Sequence, residues 1–228
     1  LNRFKSEKAI GSHFRYYCII INMALHVNRW NLSRMIELLF PLSEDELLLR
    51  HEDPILFRKP ILKHEVQFSY CLPYQQPSVR AAVHLTKFHH NCNAIALLGT
   101  ALGHTLQTHY IDYIIVPIPL SKKRERQRGY NQVFDICRYA QKHLYPELKI
   151  DSSLLRRIRH TTPQSELSRQ ERLGNLTGAF VAAQPKQITG QKLLIVDDVV
   201  TTGATFEAAR SALAPHAPAT LSCLALAH

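Results

Sequence analysis

The stretch that decides the fold is residues 193–205, which read LLIVDDVVTTGAT. The apolar run Leu193–Val196 lacks polar alternation, which is typical of a strand buried on both faces of a parallel sheet. Two acids, Asp197 and Asp198, come next, and a Thr-Thr-Gly loop then leads into a predicted helix over Ala204 to Leu213. Ligands of open α/β sheets bind at the carboxyl ends of the strands, so the sequence predicts a ligand site here.

The residue types of this loop suit a phosphorylated sugar that carries free hydroxyl groups. The first N–H groups of a helix and its positive dipole end bind phosphate, and a glycine lets the backbone approach the anion closely. Three threonines, Thr201, Thr202 and Thr205, add hydroxyl donors. The two carboxylates would repel a phosphate, so they are expected to meet hydroxyl groups or a metal ion. A ribose 5-phosphate satisfies both requirements.

In this order, Asp197 to Thr205 resembles the phosphoribosyl-diphosphate (PRPP) motif of type I phosphoribosyltransferases. Neither a Walker loop nor a dinucleotide-binding fingerprint is present in the sequence. The resemblance implies that Asp197 and Asp198 are catalytic residues that bind ribose hydroxyls, directly or through Mg²⁺. The PRPP-binding residues that it implies in this loop are Val199, Val200, Thr201, Thr202, Gly203, Ala204 and Thr205.

The rest of the chain predicts an α/β fold with a mostly parallel central sheet flanked by helices. Predicted helices cover Ser78 to Phe88, Asn93 to Thr108, Asn131 to Leu144 and Ala204 to Leu213. Predicted strands or extended segments cover Glu65 to Leu72 (an edge strand or hairpin arm), Tyr113 to Val116, Ile150, Ser153 to Ile158, Ala179 to Ala182, Lys192 to Val196 and Thr220 to Leu226. We predict a phosphoribosyltransferase-like domain over 76–228, preceded by an N-terminal extension and hood-like region over 1–75.

Two further blocks are similar to signatures of the ComF (competence protein F, GntX-like) family. The first runs from Val116 to Gln132 and the second from Arg159 to Phe180. The resemblance covers roughly residues 75–228. It implies that the loop after strand 113–116 binds pyrophosphate and that a mobile basic segment near 156–172 closes over the substrate. The residues implied are Pro117, Ile118, Pro119, Leu120, Arg124 and Arg128 for PRPP, with Arg159 and Arg172 as catalytic residues.

Positive charge is concentrated in one quarter of the chain. The sequence has 28 basic and 18 acidic residues, and residues 121–172 alone hold 13 of the basic and 6 of the acidic ones. Such a segment attracts phosphorylated substrates, nucleic acid or anionic lipid. Candidate contacts to single-stranded DNA are Lys122, Lys123, Arg124 and Arg126. The aromatic residues of the segment are few, which favours binding through phosphates over binding through stacked bases.

The five cysteines are scattered and form no C-x-x-C pair, so the sequence indicates neither a disulfide framework nor a Cys-based zinc site. Scattered thiols and the lack of a long apolar run predict a cytoplasmic protein without membrane insertion. The ComF-like family usually begins with a zinc module bearing paired cysteines, and the stretch after Pro41 has none. We therefore assign no metal-binding residues and expect no structural zinc. Residues 1–22 have no counterpart in the resemblance and are expected to contribute nothing to the catalytic domain.

Three functions remain open at this stage. The resemblance implies a ComF-family protein that binds PRPP–Mg²⁺ and supports natural competence and DNA uptake together with other competence proteins. One alternative is an active phosphoribosyltransferase of nucleotide or base salvage, within nucleoside metabolism, that uses an unidentified acceptor. Another alternative is a non-catalytic protein that senses PRPP or binds single-stranded DNA.

Overall fold

A six-stranded sheet lies at the centre of the described part of the chain, which in this computed structural model comprises residues 42–51, 54–158 and 178–228. In chain order the strands are β1 (Lys63–His64), β2 (Ser69–Leu72), β3 (Ile114–Pro117), β4 (Lys149–Ile150), β5 (Leu155–Arg157), β6 (Phe180–Ala182), β7 (Lys192–Val199) and β8 (Thr220–Ala227). The sheet order is β1-β2-β8-β7-β3-β4, and every neighbouring pair except β1 and β2 is parallel. Strands β5 and β6 form a separate antiparallel pair. The predicted α/β fold with a mostly parallel sheet is confirmed.

The helices are α1 (Glu44–His51), α2 (Ile55–Arg58), α3 (Pro77–His89), α4 (Cys92–His109), α5 (Lys122–Arg128), α6 (Gln132–His143) and α7 (Ala204–Leu213). Side chains that satisfy the first free N–H groups mark where several of them begin. Asn91 caps α4, Asn131 caps α6 and Ser121 caps α5. Pro77 occupies the first turn of α3, where a missing N–H costs nothing.

Alternate residues of β7 enter two different cores because successive side chains of a strand point to opposite faces. Leu194 and Val196 pack with residues of α3, α4 and α6, whereas Leu193 and Ile195 pack with residues of α7 and of the β5–β6 pair. This alternation directs Asp198 toward the α3 and α6 side and Asp197 toward the β5 side. The two acids that sequence analysis treated as a pair therefore have different surroundings.

Two features differ from the sequence-based expectation. Strand β7 continues through Val199, because Asp197 and Val199 pair with Ala225 and Ala227 of β8, so both acids lie within the strand end and not in the loop. Sequence analysis predicted no helix over 122–128, because that segment has no apolar periodicity. Its Ser121 cap and the left-handed Gly129 at its end nevertheless delimit the helix α5.

The chain divides into two units, residues 1–44 and 45–228. Strand β2 belongs to the central sheet of the second unit, between β1 and β8, although its residues precede the predicted boundary at 75/76. The predicted hairpin arm over Glu65 to Leu72 is confirmed by the antiparallel pairing of β1 with β2. Across the described ranges, no helix combines the length and apolar character that crossing a bilayer requires.

Candidate functional site

The candidate site lies where the neighbouring parallel strands β3 and β7 end. Pro117 of β3 pairs with Val196 of β7, and the next residue, Ile118, donates its N–H to the Val196 carbonyl at 2.9 Å. Asn131, the cap of α6, donates from Nδ2 to the Ile118 carbonyl at 3.0 Å. The predicted pyrophosphate loop is thus fixed directly beside the predicted ribose-binding acids.

Asp198 is held by three different elements. It is 5% exposed, and its Oδ1 lies 3.2 Å from the Lys87 ammonium of α3. The same oxygen accepts the Val199 N–H at 2.7 Å, while Oδ2 accepts a hydrogen bond from Gln132 Nε2 at 2.9 Å. A buried polar group without hydrogen-bond partners would destabilise the fold. Both oxygens of Asp198 therefore already have partners from the protein itself.

The partners of Asp198 are themselves connected to the basic helix α5. Arg128, the last residue of α5, donates from Nη1 to Gln132 Oε1 at 3.0 Å. Tyr130 donates its hydroxyl to the Lys87 carbonyl at 3.0 Å. The connection between α5 and α6 is therefore linked by hydrogen bonds both to Asp198, through Gln132, and to the end of α3, through Tyr130.

Asp197 lies in a different electrostatic environment. Burial, followed by the negative charge of Asp198, raises the pKa of Asp197 to about 7, while Lys87 and Arg157 act in the opposite direction. Its Oδ1 accepts the Asp198 N–H at 2.9 Å. Burial and the positive charge of Arg124 lower the pKa of Arg157, which Asp197 partly offsets. With a pKa of about 7, the Asp197 carboxyl group exists in both its neutral and its charged form near neutral pH. It is therefore suited to a hydroxyl or cationic ligand.

The raised pKa makes the protein's stability depend on pH. Between about pH 4 and about pH 7 the folded chain keeps the Asp197 proton. The unfolded chain has released it, because the carboxyl pKa there is about 3.9. The free energy of unfolding should therefore fall as pH rises through this window. Urea unfolding across the window should show this fall for the wild type and a weaker one for Asp197→Asn. Equal pH slopes for the two proteins would contradict the assignment.

The predicted phosphate loop follows β7 and opens α7. The Val200 N–H is donated to the Ala227 carbonyl at 3.1 Å, and the Val200 carbonyl lies 2.9 Å from His228 Nδ1. Gly203 has φ of 78°, a left-handed conformation that side chains rarely adopt, and a Cβ there would lie 3.2 Å from Gln67 Oε1. Because Gly203 has no side chain, α7 begins without a capping bond from that residue. A helix start of this kind is suited to an anion.

The predicted site residues are distributed as follows. Pro117 and Ile118 are buried, and Pro119, Leu120, Arg124 and Arg128 are half-buried around the end of β3, while Lys122, Lys123 and Arg126 are exposed on α5. The loop residues Val200, Gly203 and Ala204 are buried, Val199, Thr202 and Thr205 are half-buried, and Thr201 is exposed. Arg159 and Arg172 lie outside the described residues.

Sequence reasoning missed three residues that contact or surround the two acids, namely Lys87, Gln132 and Arg157. Gln132 stands in the first ComF-like block, which could have drawn attention to it. Arg157 is adjacent to Arg156 in a short strand, where the alternation of side chains could have separated their roles. Lys87 lies at the end of an ordinary amphipathic helix and gives no signal of its own.

The histidines near the end of α3 do not gather into one cluster. His84 Nδ1 lies 2.7 Å from Asp45 Oδ2, and His90 Nε2 lies 2.9 Å from Asp135 Oδ2. Within the described ranges, no group of three or more His, Cys, Asp or Glu side chains could hold a metal ion. The expectation about structural zinc remains a prediction.

Comparison with known proteins supports the resemblance. Residues 137–228 match the family described as "Phosphoribosyl transferase domain". The chain is 34% identical over 113 residues to Competence protein F of Haemophilus influenzae, covering 48% of either chain. It is 41% identical over 91 residues to the DNA utilization protein YhgH of Escherichia coli K12, covering 40% of this chain and 38% of the relative. It is 32% identical over 144 residues to Competence protein ComFC of Bacillus subtilis, covering 61% and 55%.

These matches confirm both the predicted phosphoribosyltransferase-type fold and the predicted ComF-like resemblance. The chain spans about half the length of the curated relatives that it matches.

Proposed function

We propose that this chain, which belongs to the ComF-like family of phosphoribosyltransferase-fold proteins, binds PRPP–Mg²⁺ at the ends of β3 and β7 and supports the use of DNA taken up in natural competence. The observation that carries the proposal is the position of Asp197. Its carboxyl group lies at the end of β7, the strand that leads into the loop opening α7, and the positive charges of Lys87 and Arg157 act on it. The competence role rests on the names of the relatives described above.

Each part of PRPP has a matching part of the site in this proposal. The 5-phosphate binds at the start of α7, where Gly203 allows close approach and the helix dipole favours an anion. The ribose hydroxyls donate to Asp197. The diphosphate meets the backbone of the loop after β3, with Arg124 and Arg157 as neighbouring cations. Both oxygens of Asp198 already contact other groups of the protein, so Asp198 orients Lys87 and Gln132, and the direct contact to the sugar is assigned to Asp197.

The donor set also fits the Mg²⁺ that accompanies a diphosphate. Hard divalent cations prefer carboxylate and phosphate oxygens, and Asp197 offers a carboxyl group whose charged form is destabilised by burial and by the charge of Asp198. A cation there would supply charge neutralisation for the diphosphate. Residues near 156–172, with Arg159 and Arg172, would exclude water from the activated sugar.

Titration calorimetry with PRPP, with and without Mg²⁺, tests the proposal directly. We expect one binding event per chain that strengthens with Mg²⁺. Ribose 5-phosphate and pyrophosphate should each compete with PRPP, because each would occupy one half of the site. Lack of any heat or thermal stabilisation at millimolar PRPP would refute the proposal.

Whether bound PRPP is turned over separates the enzyme from the sensor. Displacement at the anomeric carbon breaks the bond to diphosphate and forms a bond to a nucleophilic acceptor, so turnover releases pyrophosphate. Pyrophosphate release that depends on an added nucleobase would support the transferase of nucleoside metabolism. Stable binding without release would favour a PRPP sensor.

Single-stranded DNA binding is a second candidate function, favoured by the exposure of Lys122, Lys123 and Arg126 on one short helix.

The DNA, together with other competence proteins, would meet the chain in the cytoplasm. The described cysteines Cys71, Cys92, Cys137 and Cys223 are free thiols, in keeping with a reducing compartment.

The salt dependence of binding should reveal this surface. The slope of log K against log salt is about −0.7 per phosphate contacted on a single strand, so replacing Lys122, Lys123 and Arg126 by Ala should make the slope less negative by about 2. Fluorescence anisotropy with a labelled oligonucleotide provides the measurement. The matched control removes three exposed lysines from other elements, Lys142, Lys149 and Lys186. An equal change of slope in the control would mean that only net charge matters.

A further inference from the structure

An exposed aromatic ring lies at the last turn of α3, next to the residue that contacts Asp198. Phe88 is 61% exposed, and among the large exposed apolar side chains of the described residues it is the aromatic one. The Arg128 guanidinium carbon lies 5.2 Å from the centre of the Phe88 ring. A phenylalanine left in water beside a cation forgoes the stability that burial would provide. The position is therefore one where a ligand could gain by covering the ring.

Other aromatic rings lie near Phe88 at the end of α3. The His84 ring lies 5.0 Å from that of Phe88, and His89 lies 5.6 Å from His84. On the α6 side, His90 stacks on Tyr130 with 4.1 Å between ring centres and 26° between planes. The nearby acids Asp45 and Asp135 each contact one of these histidines. Each of these carboxylates therefore already has a hydrogen-bond partner in a histidine ring.

Positive charge continues from the ring along α5. Arg128 is the last residue of that helix, and its exposed cations precede it by two to six residues. At a rise of about 1.5 Å per residue, they lie within roughly 9 Å of Arg128 along the helix axis, and at about 100° per residue they point about 120–160° around the axis from it. A strand that stacks on the ring would therefore cross α5 to reach these cations. Proteins that bind single-stranded nucleic acid combine stacking rings with cations, since every base has a flat face and every link a charge.

From this geometry we infer that Phe88 and Arg128 form a stacking platform for the bases of a single DNA strand, whose phosphates follow the exposed cations of α5. The inference rests on the DNA-binding role proposed above and assigns the bases to a ring, Phe88, outside the basic segment 121–172, while Arg128 comes from within that segment. Sequence analysis expected little stacking because the aromatics within that segment are few, and Phe88 comes from a distant part of the chain.

The platform is physically connected to the proposed PRPP site. Lys87, adjacent to Phe88, lies 3.2 Å from Asp198, and Arg128 reaches Asp198 through Gln132. A base on Phe88 would therefore lie against the same helix ends that hold the acid. We expect binding of PRPP–Mg²⁺ to change the affinity for the strand without displacing bases from Phe88.

The test compares Phe88→Ala with Phe88→Tyr and with Ile111→Ala. The last of these is an equally simple truncation of an exposed apolar residue (56% exposed), which precedes β3 at the amino ends of the parallel strands. The probes are a labelled thymidine strand of about 20 nucleotides and an abasic strand of the same length. For the thymidine strand we expect Phe88→Ala to weaken binding about ten- to a hundredfold, with the salt slope unchanged. Phe88→Tyr and Ile111→Ala should bind like the wild type.

The abasic strand separates stacking from charge. We expect it to bind the wild type more weakly than the thymidine strand and to be insensitive to Phe88→Ala. Equal binding of the two strands, or wild-type affinity of Phe88→Ala for thymidine, would overturn the inference. Stronger competition by thymidine monophosphate than by the strand would also overturn it, in favour of a single acceptor base at this ring.

Failure of this inference is distinguishable from failure of the PRPP proposal. PRPP calorimetry on Phe88→Ala should give the wild-type affinity, because the ring does not contact Asp197 or the start of α7. A wild-type chain that binds PRPP but no strand at low salt would refute the platform and leave the PRPP site standing.

Discussion

Asp197→Asn is expected to lower the affinity for PRPP–Mg²⁺ about ten- to a hundredfold while the chain stays folded. The reason is that the Asp197 carboxyl is the acceptor proposed for the ribose hydroxyls, and an amide is a weaker acceptor that carries no charge. Removal of this carboxyl also relieves its repulsion with Asp198, so stability at neutral pH should not fall. Calorimetric titration measures the affinity, and thermal unfolding of the same sample verifies folding.

The matched control for this substitution is Asp112→Asn. Asp112 is exposed in the turn before β3, at the amino ends of the parallel strands, and has φ of 65°, a conformation that asparagine tolerates well. It should leave PRPP affinity unchanged. Wild-type affinity in a folded Asp197→Asn protein would place the ribose elsewhere and remove the main support for the proposed site.

Lys87→Met should produce the largest loss of stability among single changes near the site. Asp198 is 5% exposed, and the substitution leaves its charge without the ammonium 3.2 Å away. Breaking a buried pair from one side costs several kcal/mol, and since Lys87 is partly exposed we expect about 2–3 kcal/mol. For a domain of this size that corresponds to a decrease of the thermal midpoint by about 4–12 °C.

A double-mutant cycle shows whether the loss comes from this pair. Adding Asp198→Asn to Lys87→Met should restore part of the stability, because the uncompensated charge is then gone. Lys186→Met, at an exposed lysine in a turn, should leave the midpoint unchanged. If the two single changes simply add, Lys87 and Asp198 act independently and the description of the network is wrong.

The segment from Asp197 to Thr205 could be predicted because its evidence is local. A continuous apolar run, two acids and a Thr-Thr-Gly turn are contiguous in sequence, and the helix Ala204–Leu213 has the predicted bounds. The different surroundings of Asp197 and Asp198 could not be predicted in the same way. They depend on α3, β5 and α6, which reach the strand end only through tertiary packing.

The same limit explains the missed aromatic surface. Phe88 and Arg128 are 40 positions apart in the sequence, and nothing local indicates that they meet. An exposed phenylalanine at a helix end reads as an ordinary member of an amphipathic pattern. The helix α5 was missed for the opposite reason, since its seven residues are all charged or polar and offer no periodicity to detect.

The insertion of β8 between β2 and β7 has a consequence for how a nascent chain matures. Ser69 pairs with Leu224, so the sheet closes a loop of about 150 residues at this strand, an arrangement of high contact order that slows folding. While Ala227 is still inside the ribosome, β2 and β7 both expose an unpaired edge and an apolar face. An emerging chain should therefore depend on chaperones until β8 arrives, and removal of Thr220–Ala227 should cause aggregation instead of yielding a smaller folded protein.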